Sequence, residues 1–264
     1  MILLGLALVF IRALPIEPAL LLARLITVCY LALRKEYREE IRRNYQLLLG
    51  RSPPLFWVRN GWRVGRNLGL MAQIGTKRGT KIVDSAVVYR ENNNDGERLE
   101  QNLHIMMASF HFGLWEFLPQ IFARRGYDVG VLASRQRDGL IDRLIQHIRK
   151  NGEVKYIHSL RDLIFRLSRP GITGFMLDNT TRGAQTIIEI ENGGFLRLPI
   201  LAFKLAARIK TKVIPVFCYF SGGRLRVKMF PEGDGGAAVD ALVRMVKERP
   251  EEWVFWAKSG ALTR

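Results

Sequence analysis

From about residue 80 onward, short apolar runs alternate with segments of helical periodicity. Seven apolar runs predict β-strands, and four of the segments between them predict helices. The strands are predicted at 86–90, 103–110, 129–133, 154–157, 172–177, 212–220 and 225–230, and the helices at 114–125, 140–150, 160–168 and 198–208. Such alternation restricts the chain to an α/β fold, a mainly parallel β-sheet of about seven strands flanked by helices.

The residues that follow the predicted strands indicate where a ligand would bind. In an open parallel sheet, ligands bind beyond the carboxyl ends of the strands. Four polar residues stand at such ends, namely His111, Arg135, His158 and Asp178. We therefore expect a base, a cation and a carboxylate to share one edge of the sheet.

The first 33 residues are strongly apolar, interrupted only by three charged side chains, Arg12, Glu17 and Arg24. Pro15 and Pro18 interrupt a helix there, so we predict two short apolar helices with a bend between them. The longest uncharged stretches, 1–11 and 25–33, are shorter than the roughly 18–20 residues of a membrane-spanning helix. We predict a monotopic or single N-terminal membrane anchor.

Positive charge is concentrated next to this apolar segment. The chain carries 41 Lys+Arg and 24 Asp+Glu, a net charge of +17, and residues 1–80 hold 13 of the basic and 4 of the acidic residues. An apolar segment followed by basic and aromatic residues, here including Trp57 and Trp62, is typical of binding to anionic membrane lipids. We assign 1–80 to membrane association and 81–264 to the α/β domain. The alternative is a buried helix pair with a solvated basic face.

The same charge would also suit a nucleic-acid partner. No recognition motif of the usual kinds is present, and the basic residues adjoin an apolar segment, so no nucleic acid is expected. The two cysteines, Cys29 and Cys218, are too few for a disulfide framework or a structural zinc site.

The segment from His111 to Glu116 places a base and a carboxylate at a strand-to-helix turn. If His111 lies just outside the helix, Glu116 can accept a hydrogen bond from one ring nitrogen and leave the other as a general base. Gly113 permits a close backbone approach, and N–H groups near the helix start would bind an oxyanion. Taken alone, this spacing favours a turn histidine and a helix-start carboxylate.

Six short blocks occur in order along the chain. They are Arg-Arg-Asn-Tyr at 42–45, His-Phe-Gly-Leu-Trp-Glu at 111–116, Ala-Ser-Arg at 133–135 with Leu-Ile-Asp at 140–142, Phe-Met-Leu-Asp-Asn at 175–179, Leu-Ala at 205–206 with Val-Ile-Pro-Val at 213–216, and Pro-Glu-Glu-Trp-Val-Phe-Trp at 250–256. Together they resemble the lysophospholipid acyltransferase-like superfamily, and most closely its bacterial lipid A biosynthesis (lauroyl and myristoyl) acyltransferases. The second block resembles the His-x4-Asp/Glu motif of that superfamily.

The resemblance implies an O-acyltransferase that moves a fatty acyl chain from a thioester to a hydroxyl group of a lipid. The donor would be acyl carrier protein or acyl-CoA, and the acceptor a lipid A precursor or a related glycolipid. His111 would be the general base, oriented by Glu116. A thioester is already activated, so no cofactor and no metal is expected. The implied location is the cytoplasmic face of the bacterial inner membrane.

The resemblance also implies several substrate-binding residues. Arg135 and Arg149 would bind a phosphate of the acceptor or the phosphopantetheine of the donor. Asp178 would contact hydroxyl groups or order the loop that follows it, and Arg182 would pair with phosphate or with Asp178. Backbone N–H groups near Gly113 would stabilise the tetrahedral oxyanion.

The chain departs from the family pattern in three places. Asn179 replaces the usual Gln, Lys-Ser-Gly-Ala at 258–261 replaces an Arg-Arg-Trp-like ending, and the segment 189–195 replaces a Phe-Phe-Gly segment. These departures bear on the acceptor more than on the chemistry. A lysophospholipid or an ornithine lipid is the alternative acceptor, and a catalytically inactive lipid-binding relative is the alternative function.

Overall fold

The computed structural model describes residues 11–91, 104–133, 146, 149, 154–178, 184–191, 193–258 and 262–263. In this part of the chain the helices are α1 (Ile16–Leu33), α2 (Lys35–Leu49), α3 (Phe56–Met71), α4 (Lys77–Asp84), α5 (Phe117–Ala123), α6 (Leu160–Leu167), α7 (Ile200–Arg208) and α8 (Gly235–Glu248). Two short 3-10 turns follow α8, at Pro250–Glu252 and Val254–Ala257. The predicted helix 140–150 lies outside the described residues except for 146 and 149.

The strands are β1 (Val87–Arg90), β2 (His104–Ser109), β3 (Val129–Leu132), β4 (Lys155–Ile157), β5 (Gly171–Met176), β6 (Gln185–Ile190), β7 (Gly194–Pro199), β8 (Lys212–Ser221), β9 (Arg224–Met229) and β10 (Leu262–Thr263). The main sheet has seven strands in the order β1-β9-β8-β2-β5-β3-β4. Every neighbouring pair is parallel except the hairpin β8–β9. The predicted α/β fold with a mainly parallel sheet of about seven strands is confirmed.

A second sheet was not predicted from the sequence. Strands β10, β7 and β6 form it, and both of its pairs are antiparallel. Exposed and buried positions alternate along β7, as expected where only one face of a sheet is buried. No strand was predicted between residues 178 and 211, because the alternation of apolar and polar residues there is short. Helix α7 also begins later than predicted, at Ile200, since Pro199 is its N-cap.

The bend in the apolar N-terminal segment is confirmed. Residues 11–13 are helical, and α1 begins at Ile16 after Pro15. By length and composition alone, α1 is long and apolar enough to cross a membrane. The sequence prediction of two short helices did not include a helix of this length, because Glu17 and Arg24 interrupt the uncharged stretches. The helix as a whole is nevertheless apolar.

Nine of the 18 residues of helix α1 are exposed to solvent, and four are buried. Only 22% of this apolar stretch of 18 residues is buried. Its large apolar side chains that face outward are Leu21, Leu25, Ile26, Tyr30 and Leu33. A soluble protein seldom leaves so much apolar surface in one place, so this face is consistent with a membrane anchor.

Three glycines allow α1 and α3 to approach closely. Gly61, Gly65 and Gly69 recur every four residues and therefore lie on one face of α3. A Cβ at Gly65 would lie 2.7 Å from the carbonyl oxygen of Ala23 and 2.7 Å from the Cα of Arg24. The spacing of these glycines fixes how α1 packs on the rest of the protein.

The substitution Gly65→Ala is expected to lower the free energy of unfolding by about 1–3 kcal/mol, because the new methyl group collides with the main chain of α1. In an uncrowded helix the same change would stabilise by about 1 kcal/mol. Gly235→Ala in helix α8 is the matched control, since a Cβ there meets nothing closer than 3.5 Å. Thermal unfolding in detergent measures both variants. An unchanged or raised unfolding temperature for Gly65→Ala would contradict the packing argument.

Candidate active site

His111 and Asp178 meet at the carboxyl ends of two neighbouring strands. Ser109 and Met176 are paired across β2 and β5, and each of the two polar residues lies two positions further along its own strand. The His111 Nδ1 lies 2.7 Å from Asp178 Oδ1, and the His111 main-chain N–H donates to Oδ2 at 2.9 Å. A histidine and a carboxylate therefore share this edge, as expected, whereas Arg135, the cation expected with them, lies outside the described residues.

Residues from the C-terminal segment hold Asp178 in place. The Trp253 indole Nε1–H donates to Asp178 Oδ2 at 3.0 Å, and the Lys258 ammonium donates to the Asp178 main-chain oxygen at 2.7 Å. The Asp178 side chain is 2% exposed. Burial lowers the pKa of Lys258, while the charge of Asp178 opposes that shift. The carboxylate thus accepts from two residues at once and has one fixed orientation.

The imidazole of His111 lies between two aromatic rings. Its centroid is 4.5 Å from that of Phe255 and 5.1 Å from that of Trp115. Within the described part of the chain, no group hydrogen-bonds its Nε2. The side chain remains 16% exposed. The ring therefore has one nitrogen tied to a carboxylate and the other available to a ligand.

Glu116 does not make the contact with His111 that the spacing suggested. It is the N-cap residue of α5, and its Oε1 accepts a hydrogen bond from Arg149 Nη2 at 2.6 Å. The Arg149 guanidinium lies 4.6 Å from the centroid of the Tyr156 ring. Burial raises the pKa of that phenol. The carboxylate that orients the histidine is Asp178, brought close by strand pairing rather than by proximity in sequence.

Gly113 has a different role from the one expected. Its φ is +60°, and a Cβ there would lie 2.2 Å from the carbonyl oxygen of Cys218. Its N–H donates to the Glu252 main-chain oxygen at 2.9 Å, and the next N–H, of Leu114, donates to the Cys218 oxygen at 2.7 Å. Neither N–H is free for an oxyanion. The close approach that glycine permits is to β8 and not to a substrate.

Pro119 fits the local helix without a kink. It is the third residue of α5, in the first turn, where its missing N–H costs no helical hydrogen bond.

The other strand-end histidine, His158, has its Nδ1 2.7 Å from the Ala133 carbonyl oxygen. The residue after it, Ser159, caps α6, because its side chain accepts a hydrogen bond from the Asp162 main-chain N–H. His158 is thus engaged with the backbone.

Three buried asparagines hold the C-terminal segment against α2 and α3. Asn60 Nδ2 donates to the main-chain oxygens of Glu251 and Trp253, both at 3.0 Å. Asn44 Nδ2 donates to the Trp256 oxygen at 2.8 Å, and Asn67 Nδ2 to Glu252 Oε2 at 2.5 Å. All three are at most 3% exposed.

Sequence reasoning did not single out these asparagines. The available signal was that asparagine is a poor helix former and, when buried, requires hydrogen-bond partners.

Arg135 and Arg182, also expected at the site, lie outside the described residues. Among the described residues, no group of three His, Cys, Asp or Glu side chains is arranged to hold a metal ion.

One comparison with known proteins identifies a family for this chain. A family model described as bacterial lipid A biosynthesis acyltransferase matches residues 1–257, all but the last seven of the chain. A search among curated proteins returns no match. The family match includes the apolar helix, the turn at His111 and the C-terminal segment. The chain therefore belongs to the bacterial lipid A biosynthesis acyltransferase family, and it is an acyltransferase that acts on a lipid.

Proposed function

We propose that this protein moves a fatty acyl chain from an acyl thioester to a hydroxyl group of a lipid A precursor or a related glycolipid. The thioester is that of acyl carrier protein or of coenzyme A. The observation that carries the proposal is the His111–Asp178 pair at the carboxyl edge of the sheet, with Nδ1 and Oδ1 2.7 Å apart.

The pair supports general-base catalysis. Asp178 accepts the Nδ1–H hydrogen bond and so leaves the lone pair of His111 on Nε2. Nε2 takes the proton of the acceptor hydroxyl as its oxygen attacks the thioester carbonyl carbon. The C–S bond then breaks, and the leaving sulfur receives the proton from the imidazolium. Such a base typically contributes about 10²–10⁴-fold to the rate. A thioester needs no further activation, so we expect no metal and no cofactor.

Glu116 and Arg149 form a second functional unit in this proposal. Their side chains are 24% and 13% exposed, so the guanidinium is held beside the site with little freedom. A planar guanidinium fixed in this way suits a phosphate oxygen of the acceptor or of phosphopantetheine. Glu116 is then a positioning residue for Arg149. We assign Arg135 and Arg182 to binding of the same class of phosphate.

We place the enzyme at the cytoplasmic face of the bacterial inner membrane, with α1 as a monotopic or single anchor. The exposed apolar face of α1 supports this, and its last residue, Leu33, is 84% exposed. Arg34 and Arg38 follow immediately and lie over the rings of Tyr30 and Trp57, respectively. Arginine and aromatic residues next to an apolar helix are typical of the membrane interface.

His111→Ala is expected to abolish acyl transfer, and Asp178→Asn to lower kcat by about 10²-fold or more, because the imidazole loses its oriented partner. The assay is mass spectrometry of total lipids from cells that express each variant. A lipid that gains one acyl chain only with the wild type identifies both acceptor and chain.

Asp84→Asn is the matched control for these two variants, since that carboxylate is half exposed and pairs with Arg124 far from the site. Membrane-fraction levels and unfolding temperatures verify that each variant is folded. Full turnover by His111→Ala would exclude it as the base. Lipid binding without turnover by the wild type on any acceptor would favour the inactive-relative alternative.

Glu116→Gln and Arg149→Gln are expected to raise KM by about 10-fold, with a smaller effect on kcat, because both loosen the same phosphate contact. The double variant should be no worse than Arg149→Gln alone, since the two residues act as one unit. Steady-state kinetics with a purified acceptor measure this. A fall in kcat for Glu116→Gln with unchanged KM would instead restore the sequence-based role of Glu116 as the residue that orients His111.

The double substitution Leu25→Glu and Leu33→Glu is expected to shift the protein from the membrane to the soluble fraction, because it places two charges on the exposed face of α1. Ile187→Glu is the control, a similarly exposed residue on β6 at 59%. Fractionation followed by immunoblotting measures both. Retention of the α1 variant in the membrane would contradict an anchor formed by this face.

A further inference from the structure

Four arginines that play no part in the proposed catalysis cluster around one buried carboxylate. They are Arg24 of α1, Arg63 and Arg66 of α3, and Arg249 beside the first 3-10 turn. The carboxylate is Glu252, which is 2% exposed, with its Oε1 3.6 Å from Arg63 Nε. Asn67 already donates to its Oε2. Arg63, Arg66 and Arg249 face this carboxylate, whereas Arg24 lies beside Arg66.

The cluster contains hydrogen-bond donors with nothing to bind. Arg66 Nε and Nη2 are buried, and so is Arg24 Nε, and none of them finds an acceptor among the described residues. A buried charged donor without an acceptor is costly, so such an arrangement calls for an explanation. Burial lowers the pKa of Arg66 to about 10, and the charge of Arg63 adds to this shift.

Aromatic residues fix the guanidinium groups in place. The Arg66 guanidinium is 5.0 Å from the Phe220 ring centroid, and that of Arg249 is 4.2 Å from Tyr219. Arg24 lies 5.1 Å from the Trp62 ring. Flat rings hold the guanidinium planes but accept no strong hydrogen bond, so the donors stay available for an anion.

The cluster lies at the same edge of the sheet as His111 but on the other side of it from Arg149. Tyr219 and Phe220 are near the carboxyl end of β8, just beyond Cys218, which receives the Leu114 hydrogen bond. The ring of Tyr156 packs against the Arg149 guanidinium, and Tyr156 is on β4. Strand β4 is an edge strand, and it lies on the opposite side of β2 from β8. The base therefore has one basic site on each side.

We propose that Arg24, Arg63, Arg66 and Arg249 form a second anion site that binds a phosphate-ester group. Guanidinium groups converging from three segments offer charge-assisted, bidentate donors to phosphate oxygens. The assignment of the phosphate to a lipid headgroup rests on the proposed function, whereas binding of the phosphate itself does not. A lipid acceptor with two phosphates would engage both basic sites and present the hydroxyl between them to His111.

The test uses the full chain in nonionic detergent and follows thermal unfolding and ³¹P NMR line broadening. Inorganic phosphate is titrated in one arm. In the other, mixed micelles of phosphatidylcholine with phosphatidic acid are compared with phosphatidylcholine alone. Saturable binding in both arms indicates a phosphate site open to solvent. Binding of phosphatidic acid alone indicates a lipid-headgroup site, and binding in neither arm overturns the proposal.

Arg66→Met separates a ligand site from a structural arginine. We expect phosphate binding to weaken about 10-fold or more, while the unfolding temperature without ligand stays the same or rises, because an unsatisfied buried charge has been removed. Arg169→Gln removes the same charge from the exposed end of α6 and should leave binding unchanged. Unweakened binding in Arg66→Met overturns the proposal.

Arg249→Gln serves as a second variant if Arg66→Met fails to fold, with the same expected loss of binding. Both are repeated in the His111→Ala background. Phosphate binding that survives His111→Ala and is lost with Arg66→Met supports the anion site whether or not acyl transfer is observed. If the wild-type protein shows no acyl transfer on any acceptor but retains phosphate binding, that result counts against the proposed function alone.

Discussion

The carboxylate of Asp178 is the interaction on which the site depends. It accepts from the ring and main chain of His111 and from the indole of Trp253, so it joins β2, β5 and the C-terminal segment. An ionised acceptor at the centre of three hydrogen bonds is strong and directional. Without it, the imidazole loses the partner that orients it, and the Trp253 indole loses its acceptor.

The N-terminal helices are structurally continuous with the site. Asn44, Asn60 and Asn67 link α2 and α3 to the segment that carries Trp253. Helix α1 in turn rests on the glycine face of α3. A rigid chain of contacts therefore runs from the exposed apolar helix to the base. These contacts fix the position of His111 relative to α1.

The sequence was most informative where patterns are local. The seven strands and the edge that bears His111 and Asp178 follow from apolar runs, because buried parallel strands are nearly continuously apolar. The hydrogen-bond partner of His111 could not be predicted from local patterns. A five-residue spacing suggested Glu116, whereas pairing of β2 with β5 brings Asp178 from 67 residues away. The hairpin β6–β7 was missed because its alternation is short, and the asparagine contacts because their acceptors are distant main-chain atoms.

The C-terminal position of Trp253 has a consequence for biosynthesis. The chain is synthesised from its N-terminus. Helix α1 therefore leaves the ribosome first, His111 follows, and Trp253 leaves last of the three. The base and its strand neighbours are thus synthesised well before the residues that lock Asp178 and cover the imidazole. On a nascent chain, the apolar helix is free to engage a bilayer while the site is still open. The protein therefore acquires its ordered histidine only after α1 has left the ribosome.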